Sequence, residues 1–259
     1  MIMTYFIDSH THITNEELNM KLYLDEIKEA KENGVGKAML VFTNERELSV
    51  IDSLKDDTFF DMAYGIYPDD FKEVNEDDFK RLIDMHKKYH FKALGEIGLD
   101  YYWYKENKEL QKEYFRRQLM IANELDLPVI IHARDAIQDT YDILKEVDVK
   151  RKGVLHCYSG SMEMAKEFIK LGYYISFSGT VTFKNNKRGV ETALEIDKNY
   201  LLCETDAPYL TPVPNRGKPN KTAYVKYVYE FLSELLKMDI EDLKTLTQNN
   251  YQKLFKEEI

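Results

Sequence analysis

With 259 residues, the chain is long enough for one large domain or two small ones, and its 44% hydrophobic residues supply a sizeable core. A formal net charge of −10 argues against a broad basic surface that holds nucleic acid by counterion release. It does not exclude a cleft that grips a few phosphates, where bound metal ions can be the largest local charges.

Two cysteines, Cys157 and Cys203, cannot build a disulfide framework, which points to a reducing cytoplasm. The N-terminal apolar stretch is short and carries Asp8, so it reads as neither signal peptide nor transmembrane segment, and no membrane association is expected. No Gly/Ser/Pro-rich linker interrupts residues 1–259, which therefore read as a single domain.

Strand-like and helix-like segments alternate along the chain. The strand candidates are YFIDSH (5–10), KAMLVF (37–42), FFDMAYGI (59–66), FKALGEIG (91–98), PVIIH (128–132), GVLHC (153–157), YYISFSG (173–179) and YLLCET (200–205). Between them lie amphipathic stretches. DDFKRLIDMHKKY sets Phe79, Leu82, Ile83 and His86 at helical spacing, and NKELQKEYFRRQLMIANELD sets Leu110, Tyr114, Leu119, Ala122 and Leu125 on one broad stripe. TAYVKYVYEFLSELLK reads as a further helix, and IEDLKTLTQNNYQKLF as a short helical tail. Eight strands alternating with helices match an α/β fold of the (β/α)8 TIM-barrel type. A doubly wound open sheet gives a similar alternation, but no Gly-rich phosphate loop follows the first strand.

Polar residues punctuate the strand ends. The first strand ends in His10-Thr-His12, the fourth carries Glu96, the fifth ends in His132, the sixth reaches His156, and Asp206 follows the eighth. A lone histidine at a strand end is usually a hydrogen-bonded structural residue. A barrel, however, gathers its active site from the C-terminal ends of its strands, so these six side chains would converge. Imidazoles and carboxylates facing one space become mutually compatible around a divalent cation. Six ligands exceed what one catalytic zinc needs, and the surplus points to two ions with Glu96 as the bridge. Lys92 shares the strand and parity of Glu96, so a carboxylated lysine is the alternative bridge, disfavoured because Glu96 is nearer the strand's C-terminal end. His86, in a helix, and His90, before a strand, read as structural.

These residues resemble the TatD-type metal-dependent deoxyribonucleases of the amidohydrolase superfamily. The resemblance covers essentially the whole chain. It is carried by DSHTHI (8–13), GEIGLDYY (95–102), VIIHARDA (129–136), VLHCYSGS (154–161), GTVTFKN (179–185), ETDAPYL (204–210), PNRGKPN (214–220) and NNYQKLF (249–255). It implies a (β/α)8 fold and divalent-metal hydrolysis of phosphodiesters. It also implies that His10, His12, Glu96 and Asp206 hold one ion, and Glu96, His132 and His156 the other. Zinc, magnesium, manganese or iron would suit these ligands with different ease. The chain departs from the family at GIYPDD (65–70), where Tyr67 and Asp69 stand in place of two histidines, and at NKTAYV (220–225), where Asn-Glu-Pro is usual.

Within this reading Glu96 and Asp206 are the catalytic carboxylates. Asp206 ligates one ion and accepts the nucleophile's proton, while Glu204 supports the cluster from behind. Tyr67, Arg134, Lys187 and Arg216 are the candidate substrate contacts, with Lys184 and Lys218 nearby, because each lies on a loop at the C-terminal ends of the strands. YYWY (101–104) either stacks unpaired bases or anchors its loop. The expected activity is that of a monomeric 3′→5′ exonuclease on single-stranded DNA, the polarity resting on the resemblance alone. The rivals are a small-molecule amidohydrolase, a deacylase of mischarged tRNA, and a non-catalytic protein with a structural metal.

Overall fold

A computed structural model describes residues 4–12, 20–54, 57–68 and 74–256. Ile13 and Asp69, both named above, lie outside the described residues. Among the described residues, eight parallel strands run in sequence order: β1 Phe6–Thr11, β2 Val35–Phe42, β3 Phe60–Tyr64, β4 Ala93–Asp100, β5 Val129–Arg134, β6 Gly153–Leu155, β7 Tyr174–Phe177 and β8 Leu201–Cys203. The ring closes just past β8. Thr11 bridges Ala207, the His12 N–H donates to the Ala207 carbonyl (2.9 Å), and the Asp206 N–H donates to the His10 carbonyl (2.9 Å). The fold is thus a nearly closed single (β/α)8 barrel, as the alternation predicts.

The strand period of two sorts apolar side chains into two layers. On β2, Ala38, Leu40 and Phe42 face outward into the layer beneath the helices, while Met39 and Val41 join the barrel interior with Ile7, Ala63, Ala93, Ile130, Val154 and Leu202. The closing helix, predicted as a short tail, runs Ile240–Phe255. Its Tyr251, Leu254 and Phe255 pack into that same interior cluster, so it floors the barrel at the end opposite the strand C termini.

Several helices, among them Glu76–Tyr89, Met162–Lys170, Lys187–Glu195 and Ile240–Phe255, start where a side chain takes up a free N–H group of the first turn. Before the helix Glu76–Tyr89, Asn75 and Asp78 form a reciprocal capping box, and Glu76, Asp77 and Asp78 complement the helix dipole. Its His86 is buried, and the Nε2–H donates to the Tyr64 carbonyl (2.8 Å). His90 caps the helix in the left-handed region. Both histidines are spent on the scaffold.

Strand ends differ from expectation where function concentrates. β4 runs on to Asp100, whereas β6 stops at Leu155 and β8 at Cys203. His156 still donates its N–H to the Ile131 carbonyl (3.0 Å), after which Cys157, at φ 43°, turns the chain away. The extension of β4 depends on Gly98, at φ 140°. A Cβ there would lie 2.0 Å from the His132 carbonyl oxygen, so only glycine lets β4 and β5 approach this closely. Among the described residues no helix is long and apolar enough to cross a membrane.

Candidate active site

The six side chains singled out at the strand ends meet at the top of the barrel. Glu96 is their centre. Its Oε2 lies 3.4 Å from His10 Nε2 and 3.6 Å from His12 Nε2, while its Oε1 lies 2.9 Å from His132 Nδ1 and 2.7 Å from His156 Nε2. The carboxylate therefore presents one oxygen to each pair of imidazoles. Within the pairs, His10 Nε2 and His12 Nε2 are 3.0 Å apart, and His132 Nδ1 and His156 Nε2 are 3.2 Å apart. Asp206 joins the first pair, with Oδ1 at 3.8 Å from His10 Nε2 and 3.5 Å from His12 Nε2.

Such close approach of imidazole nitrogens is a donor arrangement that a cation relieves. His10, His12 and Asp206, and likewise His10, Glu96 and His156, each bring ligand atoms within 4.8 Å of one another. The residues fit a divalent-metal centre. Lys92 precedes β4 at the opposite end of that strand from the cleft, so of the two candidates only Glu96 lies in the cluster.

A cleft of about 430 Å³ opens over this cluster. Tyr67, Trp103, Arg134, Pro208, Tyr209 and Leu210 are among the residues that line it. The Tyr67 hydroxyl lies 3.4 Å from His132 Nε2 and 3.5 Å from Asp100 Oδ2. The Arg134 guanidinium sits over the Tyr102 ring at 4.0 Å and beside Trp103 at 5.5 Å, which fixes an otherwise mobile cation at the rim. The aromatic run divides its labour. Tyr101 is buried and donates to Asp139 (2.7 Å), anchoring the loop, whereas Tyr102 and Trp103 are exposed. Lys187 and Arg216 are not among the residues lining this cleft. Arg216 lies over the Phe183 ring at 3.7 Å, and Lys187 lines a separate groove beyond it.

A profile of the family described as "TatD related DNase" matches residues 7–256. The chain belongs to the TatD-related DNase family. A Bacillus subtilis relative named "uncharacterized metal-dependent hydrolase YabD" is 39% identical over 251 residues, covering 96% of this chain and 98% of that protein. A Methanocaldococcus jannaschii relative, also named as an uncharacterized metal-dependent hydrolase, is 32% identical and covers 97% of both chains. Among solved structures, the TatD homologue YjjV of Escherichia coli superposes with a TM-score of 0.91 at 28% identity, covering 98% of each chain. An amidohydrolase from Saccharomyces cerevisiae, at TM-score 0.80 and 19% identity, shares the fold. The chain is thus a metal-dependent hydrolase of the TatD family.

Electrostatics in this family member follow from packing many ionisable groups together out of water. Burial opposes charge on every one of them, and the partners decide the outcome. For Glu96, burial is outweighed by His156, His10 and His132, which hold the carboxyl well below its usual range. For His12, burial is outweighed by Asp206 and Glu96, which push the imidazole up to about 9. His156 is raised by Glu96 and Glu204, and His132 by Asp100 and Glu96. His10 goes the other way: burial and the neighbouring His156 lower it. Burial, followed by the charges of Glu96 and Asp100, pushes the Tyr67 phenol far up, so it remains a proton donor throughout the working pH range.

Asp100 is the residue that reading the sequence passed over. Its Oδ2 lies 3.1 Å from His132 Nε2, the ring nitrogen turned away from Glu96. Its Oδ1 accepts the backbone N–H groups of Tyr102 (2.9 Å) and Trp103 (2.8 Å), so the carboxylate is fixed at both oxygens. It orients the ring and raises the basicity of the opposite nitrogen. The available signal was parity, since Asp100 lies four residues after Glu96 on one strand. Glu204 stands behind His156 in the same manner, with Oε1 at 3.4 Å from Nδ1, and it accepts the Cys157 N–H at 2.7 Å. His12 rests instead on the Val41 carbonyl (3.0 Å). Beneath the cluster, buried Asp8 accepts from the Thr205 N–H (2.8 Å) and hydroxyl and fixes the backbone before Asp206. Asn220, at the site of the NKTAYV departure, donates to the carbonyls of Thr205 (2.9 Å) and Tyr209 (2.6 Å) and so holds the loop that walls the cleft.

Proposed function

We propose that this protein is a phosphodiesterase acting on DNA, working through two divalent ions held by His10, His12, Glu96 and Asp206 on one side and by Glu96, His132 and His156 on the other. The observation that carries the reading is the division of Glu96, whose two oxygens each face a separate imidazole pair at 2.7–3.6 Å. A structural metal site has no need of such a bridge, and it closes with four ligands rather than opening onto a cleft. The ions, whether zinc, magnesium, manganese or iron, supply Lewis acidity that offsets the anionic charge of the diester and makes water a competent nucleophile near neutral pH.

The chain's own groups do the rest. Asp206, held below its normal pKa by His12 once burial is overcome, stays ionised at the cleft floor and takes the proton of the attacking water. Tyr67 stays protonated and donates to the leaving or a non-bridging oxygen, a task that a histidine at this position would otherwise suit. Arg134, stacked on Tyr102, grips a phosphate with two N–H groups, and exposed Trp103 offers a face to an unpaired base. Single-strand preference is supported by this aromatic rim and by family resemblance, and 3′→5′ polarity by the resemblance alone. A monomer in the cytoplasm completes the reading.

The deciding experiment strips the protein with chelator, restores single cations, and follows 3′- and 5′-labelled single- and double-stranded oligonucleotides. Stepwise shortening of single strands from the 3′ end, dependent on added cation, is expected. Intact DNA alongside hydrolysis of mischarged tRNA or of small amides would transfer the site to one of the rival activities.

A further inference from the structure

Beyond the metal cleft lies a groove of about 660 Å³ whose composition fits a strand rather than a small molecule. We propose that this groove, between the loop after β7 and the helix Lys187–Glu195, is a second binding site that carries the uncleaved part of a single-stranded nucleic acid leaving the metal cleft. The proposal rests on the nuclease reading above and extends it to a surface on which none of the six clustered ligands lies.

Continuity is the first argument. One loop serves both spaces. Its Pro208, Tyr209 and Leu210 wall the metal cleft, and its next residues pack against Thr182 and Phe183 of the groove's lining. The Val213 N–H donates to Thr182 Oγ1 (2.9 Å), the Leu210 carbonyl presses so closely on Gly179 that a Cβ there would lie 2.1 Å away, and Arg216 covers Phe183 at 3.7 Å. Thr182 and Phe183 line the groove. From Leu210 to Arg216 the chain spans at most ~20 Å, so about six nucleotides or fewer bridge the two spaces.

Chemistry is the second argument. Exposed Lys184 and Lys187 line the groove beside Phe183, and the guanidinium of Arg216 covers that ring. The floor is apolar, formed by Phe231 and by Leu194, which is 47% exposed. An apolar floor for base faces beside a cationic edge for phosphates is how sequence-tolerant single-strand sites are built. The acidic residues of the groove lie farther along the helix. Glu191 is one turn on and Glu195 two, the latter already engaged by Lys166 at 3.3 Å. In a chain of net charge −10, the grouping of Lys184, Lys187 and neighbouring Arg216, set apart from Glu191 and Glu195, marks where an anion is wanted.

The test compares kcat/KM on labelled single strands of about three and about twelve nucleotides, with the metal-loaded enzyme. Wild type should gain on the longer strand. In Lys184→Ala/Lys187→Ala, and separately in Leu194→Asp, that gain should shrink roughly tenfold or more. The dependence of log affinity on log salt should flatten by ~0.7 for each phosphate that the variant no longer neutralises. Because these side chains are exposed, metal content and melting temperature serve as controls of folding. A length gain equal in variants and wild type would overturn the proposal while leaving the nuclease reading intact. DNA uncut by wild type in any metal would remove the reading and the proposal together. A dimer that Leu194→Asp dissociates would assign the groove to a second copy of the chain instead.

Discussion

Asp100→Asn isolates what a carboxylate behind a ligand does. The native carboxylate divides its work: Oδ1 takes two backbone N–H groups of the 101–103 turn, and Oδ2 faces His132 Nε2 at 3.1 Å. An imidazole that ligates through Nδ1 carries its proton on Nε2, so it needs an acceptor there. Asparagine has one acceptor oxygen for the two backbone N–H groups, the His132 Nε2–H and the Tyr67 hydroxyl. If the oxygen stays with the turn, the amide N–H groups confront Nε2–H; if it flips, the turn loses its cap. Partners of this kind are typically worth 10–100-fold in metal affinity, or ~1.4–2.7 kcal/mol. The loss should fall on the ion of His132 and His156 alone, because Asp100 backs His132 on the Oε1 side of Glu96, whereas His10 and His12 face Oε2. Calorimetric titration of metal-free protein, checked by elemental analysis, should show two binding events in wild type. In the variant one event should weaken by that factor, and the other should stay in place. Equal weakening of both, or none, would refute the assignment of Asp100 to one side of the pair.

Glu96→Gln should abolish stable binding of both ions, since an amide cannot offer an anionic oxygen to each imidazole pair; retention of one ion after dialysis would show that the bridge is dispensable. Tyr67→Phe should lower kcat without lowering metal content, and an equal fall in both would place the phenol among the ligands. Arg216→Ala should cost an oligonucleotide roughly tenfold or more in kcat/KM, the effect of one charge-assisted hydrogen bond of ~1.5–3 kcal/mol, and should cost a small chromogenic phosphodiester less. His86 makes a pH prediction about stability. Burial lowers it to about 4 against 6.5 in the unfolded chain, so the unfolded state takes up the proton first as pH falls. Stability unaffected above pH 6.5 should drain away between there and about 4, by roughly 3 kcal/mol at ~1.4 kcal/mol per pH unit. Denaturant titrations of His86→Gln should show that much less acid sensitivity than wild type, and identical slopes would count against the neutral buried imidazole.

The sequence by itself determined the barrel and the membership of the cluster. Each of His10, His12, Glu96, His132, His156 and Asp206 sits in, or just past, a buried apolar strand, and a parallel barrel leaves such positions only one place to meet. Local pattern was also enough to set His86 and His90 apart, because helical spacing and position before a strand put them away from the strand C termini. What the pattern could not carry were relations between residues distant along the chain. Asp100 gains its role from an imidazole 32 residues away, and only after Gly98 lets β4 run on beside β5. Which ring nitrogen faces Glu96, Nδ1 in His132 but Nε2 in the other three, depends on side-chain torsions that packing selects. The separation of Arg134, in the metal cleft, from Lys187 and Arg216, beside the outer groove, depends on the path of two loops bound to each other through Thr182, Val213 and Phe183. Strand ends are fixed by a periodicity that every local segment carries. Loop paths and ring orientations are fixed by contacts that exist only once the barrel has closed.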